Sequence, residues 1–126
     1  MATSTLPTLI EQAMEYSYAE EQQHFRNPHY PQGIVYTRGV RYVAEHAGAW
    51  WLLDKIATMQ IHPSVRTEQL TQMWSLWVTD ERTWALICQD GDYHIMWAEG
   101  GSYTDFPVGH ITFFVQHGCV MLTSEY

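Results

Sequence analysis

Asp54 is the ionisable side chain with the most chemical interest, and it lies in a segment whose pattern predicts a long helix. A straight helix places Asp54 on the same side as Trp50, among apolar residues. A buried carboxylate must be paired, hydrogen-bonded or protonated. Asp54 is therefore either a catalytic or ligand-holding acid, or a structural acid paired with Arg38, Arg41 or a backbone donor. The second role is favoured, because structural ion pairs also perturb acids.

Nucleophilic catalysis needs a Ser, Thr or Cys side chain beside a base. Thr37 and Ser124 are candidate nucleophiles, but the sequence places no histidine near either of them. Cys88 lies in an apolar run, where burial raises the pKa of a thiol and lowers its reactivity. A small hydrolase or transferase that uses Thr37, Asp54 and a histidine in a cleft between helix and sheet is thus an alternative interpretation.

The seven histidines do not predict a metal site. Zinc needs three or four ligands that converge in space, and the chain has neither a His-Glu-x-x-His nor a Cys-x-x-Cys pattern. Cys88 and Cys119 both lie in apolar runs, and we expect free thiols because no signal-peptide pattern precedes them. We therefore predict no metal and no cofactor.

Aromatic residues supply the candidate binding positions. Trp77 lies on the mixed face of a predicted strand. Together with Trp50 and the cluster of Tyr16, Tyr18, Phe25 and Tyr30, it is expected to exceed what one small core hides. Surplus aromatic surface marks interfaces; the alternative is that an N-terminal helix lies across the sheet and covers these rings. We also expect Tyr126, the last residue, to dock and to contribute to ligand or partner capture.

Helical spacing predicts the elements that position these residues. Apolar residues recur at helical intervals from Leu6, and one or two helices are expected up to Phe25. Thr37 is expected to cap a second helical region that runs to about Gln60. Its apolar residues change side at Gly48, so Gly48 either breaks the helix or lies within a continuous helix covered on both sides. The continuous helix is slightly favoured.

Period-two alternation begins after residue 69 and indicates an antiparallel sheet. It predicts strands over 70–78, 84–88, 93–98 and 119–122, with a hairpin at Asp90-Gly91. Asp105 precedes a stripe over 108–115 that predicts a helix, although these residues are also β-prone and leave a strand open. The expected fold class is α+β: N-terminal helices packed on an antiparallel sheet of about four strands, with a helix before the last strand.

Two blocks of residues resemble the DUF6876 family. The first contains Tyr36-Thr37-x-Gly39-Val40, Ala47-Gly48-Ala49, Trp51-Leu52-Leu53-Asp54, Ile56-Ala57 and Gln60; the second contains Trp74, Cys88, Asp90-Gly91, Tyr103 to Pro107 and Ser124 to Tyr126. The resemblance covers about residues 36–126. It implies a small bacterial or phage protein of unassigned function, often encoded by mobile elements, and it supplies no catalytic residues.

Chain length and net charge indicate the number of domains and exclude some classes of function. The 126 residues fit a single domain over 1–126, and six Lys and Arg against 14 Asp and Glu give a net charge of −8. Nucleic-acid binding and an anionic membrane surface are not expected, because both need clustered basic residues. No apolar run approaches the roughly 20 residues that span a bilayer, and a cytoplasmic location is expected.

The leading hypothesis is a non-enzymatic protein-interaction or regulatory module that forms a homodimer or binds an unidentified protein partner. It is motivated by the aromatic surplus and by the lack of a catalytic constellation. The alternatives are the hydrolase or transferase described above and a small-ligand-binding protein with a site around Asp54.

Overall fold

A computed structural model of the chain describes residue 8, residues 24–26, residues 35–65 and residues 71–123. It is α+β, as predicted, with two described helices that share one core with a mixed sheet. The elements are β1 (His24–Arg26), β2 (Val35–Thr37), α1 (Arg38–Ala47), α2 (Trp50–Met59), β3 (Gln72–Val78), β4 (Trp84–Gln89), β5 (Ile95–Gly101), β6 (Gly109–Gln116) and β7 (Cys119–Leu122).

The sheet has seven described strands in the order β1-β2-β7-β6-β3-β4-β5. Every neighbouring pair is antiparallel except β2 and β7, which are parallel. The prediction of about four antiparallel strands is therefore wrong in number and in type. The strands expected from alternation at β3, β4, β5 and β7 are confirmed, and β5 begins two residues later than expected.

The predicted helix over 108–115 is wrong, because this segment forms strand β6. Its residues alternate between buried positions at Ile111, Phe113 and Val115 and partly buried positions between them. β6 pairs along its length with β3 and, on its other side, with β7. Two neighbouring strands satisfy the backbone groups of β6, and this gain outweighs the helical spacing of its apolar residues. Gly118 then turns the chain into β7 with φ 78°.

Gly48 separates α1 from α2, so the slightly favoured continuous helix is wrong and its alternative is confirmed. Gly48 has φ 67° and ψ 38°, and its N–H donates to the carbonyl oxygen of Ala44. A left-handed glycine is a common helix stop because it has no Cβ to clash. The break lets Val43 on α1 and Leu53 on α2 face the same core, although they would diverge on one straight helix.

The described buried residues form one cluster between the helices and the inner face of the sheet. Its largest side chains include Trp74 of β3, Phe113 of β6 and Phe106 from the loop before β6. Three described polar residues are also buried: Thr37, Gln72 and Thr104. The aromatic rings of the sheet therefore pack in the same interior as the two helices.

The N-terminal helices predicted before residue 26 lie mostly outside the described residues. Thr8 is helical, and residues 24–26 form β1 and not the end of a helix. Within the described part of the chain, no helix has the length and apolar character that a membrane crossing needs.

Candidate functional site

Trp77 lies on the outer face of the sheet, which we define as the face turned away from α1 and α2. In β3, Trp74, Leu76 and Val78 are buried against the helices, and the residues between them point to the outer face. Trp77 is 48% exposed there. Its ring stacks on His110 of β6, with centroids 3.6 Å apart and planes at 8°. The alternation in the sequence predicted this orientation of Trp77 correctly.

Over strands β3 to β7, the outer face carries no Asp, Glu, Lys or Arg. Strand register assigns its positions, because directly paired residues share a face. They are Met73, Ser75 and Trp77 in β3; Ala85, Ile87 and Gln89 in β4; Ile95, Ala98 and Gly100 in β5; His110, Thr112, Phe114 and Gln116 in β6; and Cys119 and Met121 in β7. The charged residue of β5, Glu99, lies on the opposite face, where it pairs with Lys55 of α2 at 3.2 Å.

Hydroxyl groups near the centre of the outer face are hydrogen-bonded to one another. The Ser75 and Thr112 hydroxyl oxygens are 3.0 Å apart, and Thr112 Oγ1 lies 3.2 Å from His110 Nε2. Burial lowers the pKa of His110 below its usual value, because the stacked ring is partly removed from water. His110 is therefore neutral at neutral pH, and the outer face is polar in places but uncharged.

A cleft opens at the end of the sheet where β4 begins and β5 finishes. It has a volume of about 340 Å³ and is lined by Gly48, Trp51, Trp84, Tyr103, Thr104 and Asp105. Trp51 and Trp84 form its wall, with ring centroids 5.3 Å apart and planes at 55°. Trp84 lies over Gly101 of β5, since a Cβ added at Gly101 would overlap its indole.

Backbone hydrogen bonds fix the loop that supplies the other side of the cleft. The Thr104 N–H donates to the Arg82 carbonyl oxygen at 3.0 Å, and the Arg82 Nη1 donates to the Phe106 carbonyl oxygen at 3.1 Å. The Phe106 N–H also donates to the Thr104 hydroxyl oxygen at 3.1 Å. The buried ring of Phe106 anchors this loop in the core.

Asp105 does not cap a helix as predicted, because the strand β6 follows it. It accepts a hydrogen bond from the Tyr103 hydroxyl at 2.6 Å on its Oδ1 atom. This hydrogen bond raises the pKa of Tyr103, and the nearby Asp105 charge adds to the rise, while Arg82 opposes it. Tyr103 is 65% exposed, so its phenol ring and the Asp105 carboxylate stand together at the mouth of the cleft.

None of the other predicted site residues that the structure describes lines the cleft. Thr37 is buried and caps α1, its hydroxyl oxygen accepting from the Val40 N–H at 3.4 Å. Trp50 is 37% exposed and meets Tyr36 edge to face. Asp54 is exposed on α2, so its predicted burial is wrong. Tyr126 lies outside the described residues.

The break at Gly48 explains the error over Asp54. It turns α2 relative to α1, so residues assigned to one side of a continuous helix no longer share a side. Sequence reasoning also missed Trp51 and Trp84 as partners. One signal in the sequence could have identified the cleft: Gly48, Trp51 and residues 103–107 all belong to the blocks that carry the family resemblance.

Three side chains in the hairpin between β4 and β5 have the donor types and spacing of a metal site. The ligand atoms of Asp90, Asp92 and His94 lie within 4.8 Å of one another. Asp90 is already occupied within the turn, since its Oδ1 accepts from the His94 N–H at 2.9 Å and the Asp92 N–H at 2.8 Å. These bonds lower the pKa of Asp90. Turn formation alone explains this cluster.

Comparison with known proteins identifies a family and no activity. The model of DUF6876, a family of unknown function, matches residues 8–126. No curated protein and no solved structure matches the chain at a significant level. The family match includes both segments that line the cleft and the strands that form the outer face.

Proposed function

The chain belongs to the DUF6876 family, and we propose that it is a non-enzymatic interaction module that pairs with a second copy of itself through the outer face of the sheet. The observation that carries this proposal is the lack of charged residues on the outer face over strands β3 to β7. Charged residues make up 16% of the chain and give a net charge of −8. An ordinary solvent-facing sheet surface would hold several of them.

The composition of the outer face supports an interface. The fully buried parts of protein interfaces are depleted in charged residues and enriched in aromatic residues and methionine. Here Met73 pairs with Phe114, which in turn pairs with Met121, forming an apolar row across β3, β6 and β7. A second row places Ala85, Trp77 and His110 side by side.

Trp77 has the features of an energetic centre for such an interface. Tryptophan is among the residues that most often dominate binding energy, particularly near the middle of a contact surface. β3 lies between β6 and β4, with three strands beyond β6 and one strand beyond β4. The stack on His110 holds the Trp77 ring in one orientation before binding, which lowers the entropy lost on association.

The net negative charge of the chain supports a second copy of the chain as the partner for this face. Two acidic molecules repel each other over most of their surfaces, and an uncharged face is where they can approach at the lowest electrostatic cost. In a two-fold symmetric contact the same patch serves both partners. The apolar rows and the Trp77 ring of one protomer would then cover those of its partner.

The test is the molar mass in solution of the wild type and of Trp77→Lys, measured by light scattering and by sedimentation equilibrium. We expect a wild-type dimer and a dissociation constant at least about 30-fold weaker in Trp77→Lys, the loss typical of an interface hot spot. Ile61→Lys is the matched control, because Ile61 is also an exposed apolar residue but lies in the turn after α2, on the helix side of the sheet. A wild-type monomer at high concentration, or equal weakening by both substitutions, would refute the proposal.

A further inference from the structure

We propose that the cleft lined by Trp51, Trp84, Tyr103 and Asp105 binds a small organic cation of the alkylammonium class. The proposal is independent of dimer formation, because the cleft lies at the helix side of the sheet and the outer face lies on the other side. It rests on the aromatic walls, on the carboxylate at the mouth and on the size of the cleft.

The aromatic walls have the geometry that a cation requires. A cation is attracted to the face of a tryptophan or tyrosine ring when it lies within about 6 Å of the ring centroid. The centroids of Trp51 and Trp84 are 5.3 Å apart, and their planes form an angle of 55°. A single ammonium group can therefore lie within reach of both indoles, and the exposed Tyr103 also lines the cleft.

The charges around the cleft favour a cation over an anion. Asp105 is the charged residue among those that line it, and no Lys or Arg is among them. The nearest influential cation is Arg82, whose guanidinium donates to the Phe106 carbonyl oxygen. The pKa of Tyr103 rises, so Asp105 outweighs Arg82 at the cleft mouth. The net charge of −8 adds a long-range attraction for cations.

The dimensions of the cleft indicate a small molecule. Its volume of about 340 Å³ lies near the lower limit of ordinary ligand pockets. Gly48 contributes no side chain to the wall, and a Cβ at this position would meet nothing within 4 Å. The cleft thus has room for a trimethylammonium group and a short polar tail, and Tyr103 and Thr104 are the hydroxyl-bearing residues of its lining.

The experiment is a titration of the full chain with choline, followed by tryptophan fluorescence and by calorimetry at constant ionic strength. The matched probe is 3,3-dimethylbutan-1-ol, which has the same shape as choline but no charge. We expect saturable binding of choline and at least about fivefold weaker binding of the alcohol, as loss of cation–π attraction implies. Equal binding of both compounds, or no saturable binding of choline, would overturn the proposal.

Two further measurements test whether choline binds in the cleft and not through the net charge of the protein, and whether the natural ligand is a small molecule. Asp105→Asn removes the charge at the mouth, and we expect it to weaken choline binding about fivefold or more. Asp92→Asn makes the same chemical change at the far end of the β4–β5 hairpin and should leave choline binding unchanged; equal weakening by both would mean that only the net charge matters. A peptide with trimethyllysine that binds more than tenfold tighter than choline would replace the small molecule with a protein ligand and overturn the assignment.

Discussion

Replacing Gln72 by methionine removes the polar centre of the core while it keeps the length of the side chain. Gln72 is 1% exposed at the start of β3. Its amide exchanges two hydrogen bonds with the amide of Gln60, at 2.9 and 2.8 Å. Its Oε1 also accepts from the indole Nε1 of Trp74 at 2.9 Å. The substitution removes all three hydrogen bonds and leaves no acceptor in the place of Oε1.

The expected cost follows from the burial of the groups that lose their partner. Trp74 is 0% exposed, so its indole N–H cannot turn to bulk water, and an unpaired buried donor costs about 1–3 kcal/mol. Gln60 is partly exposed, and its amide still donates to the Ile56 carbonyl oxygen at 3.0 Å. Loss of the hydrogen bonds between the Gln60 and Gln72 amides therefore adds only about 1 kcal/mol. Burial of the methionine side chain offsets about the same amount. The net loss of unfolding free energy is about 1–3 kcal/mol.

Urea unfolding followed by circular dichroism measures this loss, and thermal unfolding should show a midpoint lower by about 10 °C. Gln89→Met is the control, since Gln89 occupies a partly exposed strand position and donates to the Tyr93 carbonyl oxygen at 3.0 Å. Water can replace that bond, so the control should lose less than about 1 kcal/mol. If Gln72→Met and Gln89→Met unfold at the same urea concentration, the reasoning about the buried indole is wrong.

Two further predictions follow from perturbed pKa values. Burial raises the pKa of Cys88 to about 12, so in native protein at pH 8 a thiol reagent should modify Cys119 first and Cys88 only after unfolding; equal rates would contradict this. The pKa of His110 is lowered in the folded state. Below about pH 6.5 the unfolded state therefore binds more protons than the folded state, and the free energy of unfolding decreases as the pH is lowered. Urea denaturation at pH values from 7 to 5 measures this effect. The free energy of unfolding of His110→Gln should fall less over this range than that of the wild type, and an equal fall in both proteins would refute the role given to His110.

Local patterns were sufficient to predict several elements of the fold. Alternation located β3 because its inner positions from Gln72 to Val78 are buried and the positions between them are not. Asp90-Gly91 marked the hairpin because its turn chemistry is contained within a few residues. Thr37 was identified as a helix cap for the same reason. Each of these predictions depends on interactions between near neighbours in sequence.

The strand β6 could not be assigned from its own residues. Val108, Ile111, Phe114 and Val115 fit a helical stripe, and Ile111, Phe113 and Val115 also fit alternation. The choice is made by β3, more than thirty residues earlier, which pairs with β6 from Gly109 to Val115. The parallel pairing of β2 with β7 is likewise non-local. Such contacts leave no periodic trace in either segment alone.

The two proposed surfaces show why site prediction succeeded on one side of the sheet and not on the other. Trp77 was found because its orientation depends only on alternation within β3. The cleft was missed because the break at Gly48 brings Trp51 to Trp84, and because the loop containing Tyr103 folds back onto both.

Two neighbouring residues of β4 belong to the two different surfaces. Trp84 points to the helix side and lines the cleft, whereas Ala85 points to the outer face and pairs with Trp77. Successive side chains on a strand lie on opposite faces of the sheet, so a substitution at Trp77 alters the outer face without entering the cleft. The same holds in reverse for Asp105, which lies in the loop beyond β5. A dimer that persists without cation binding, or cation binding by a monomer, would therefore refute one proposal and leave the other standing.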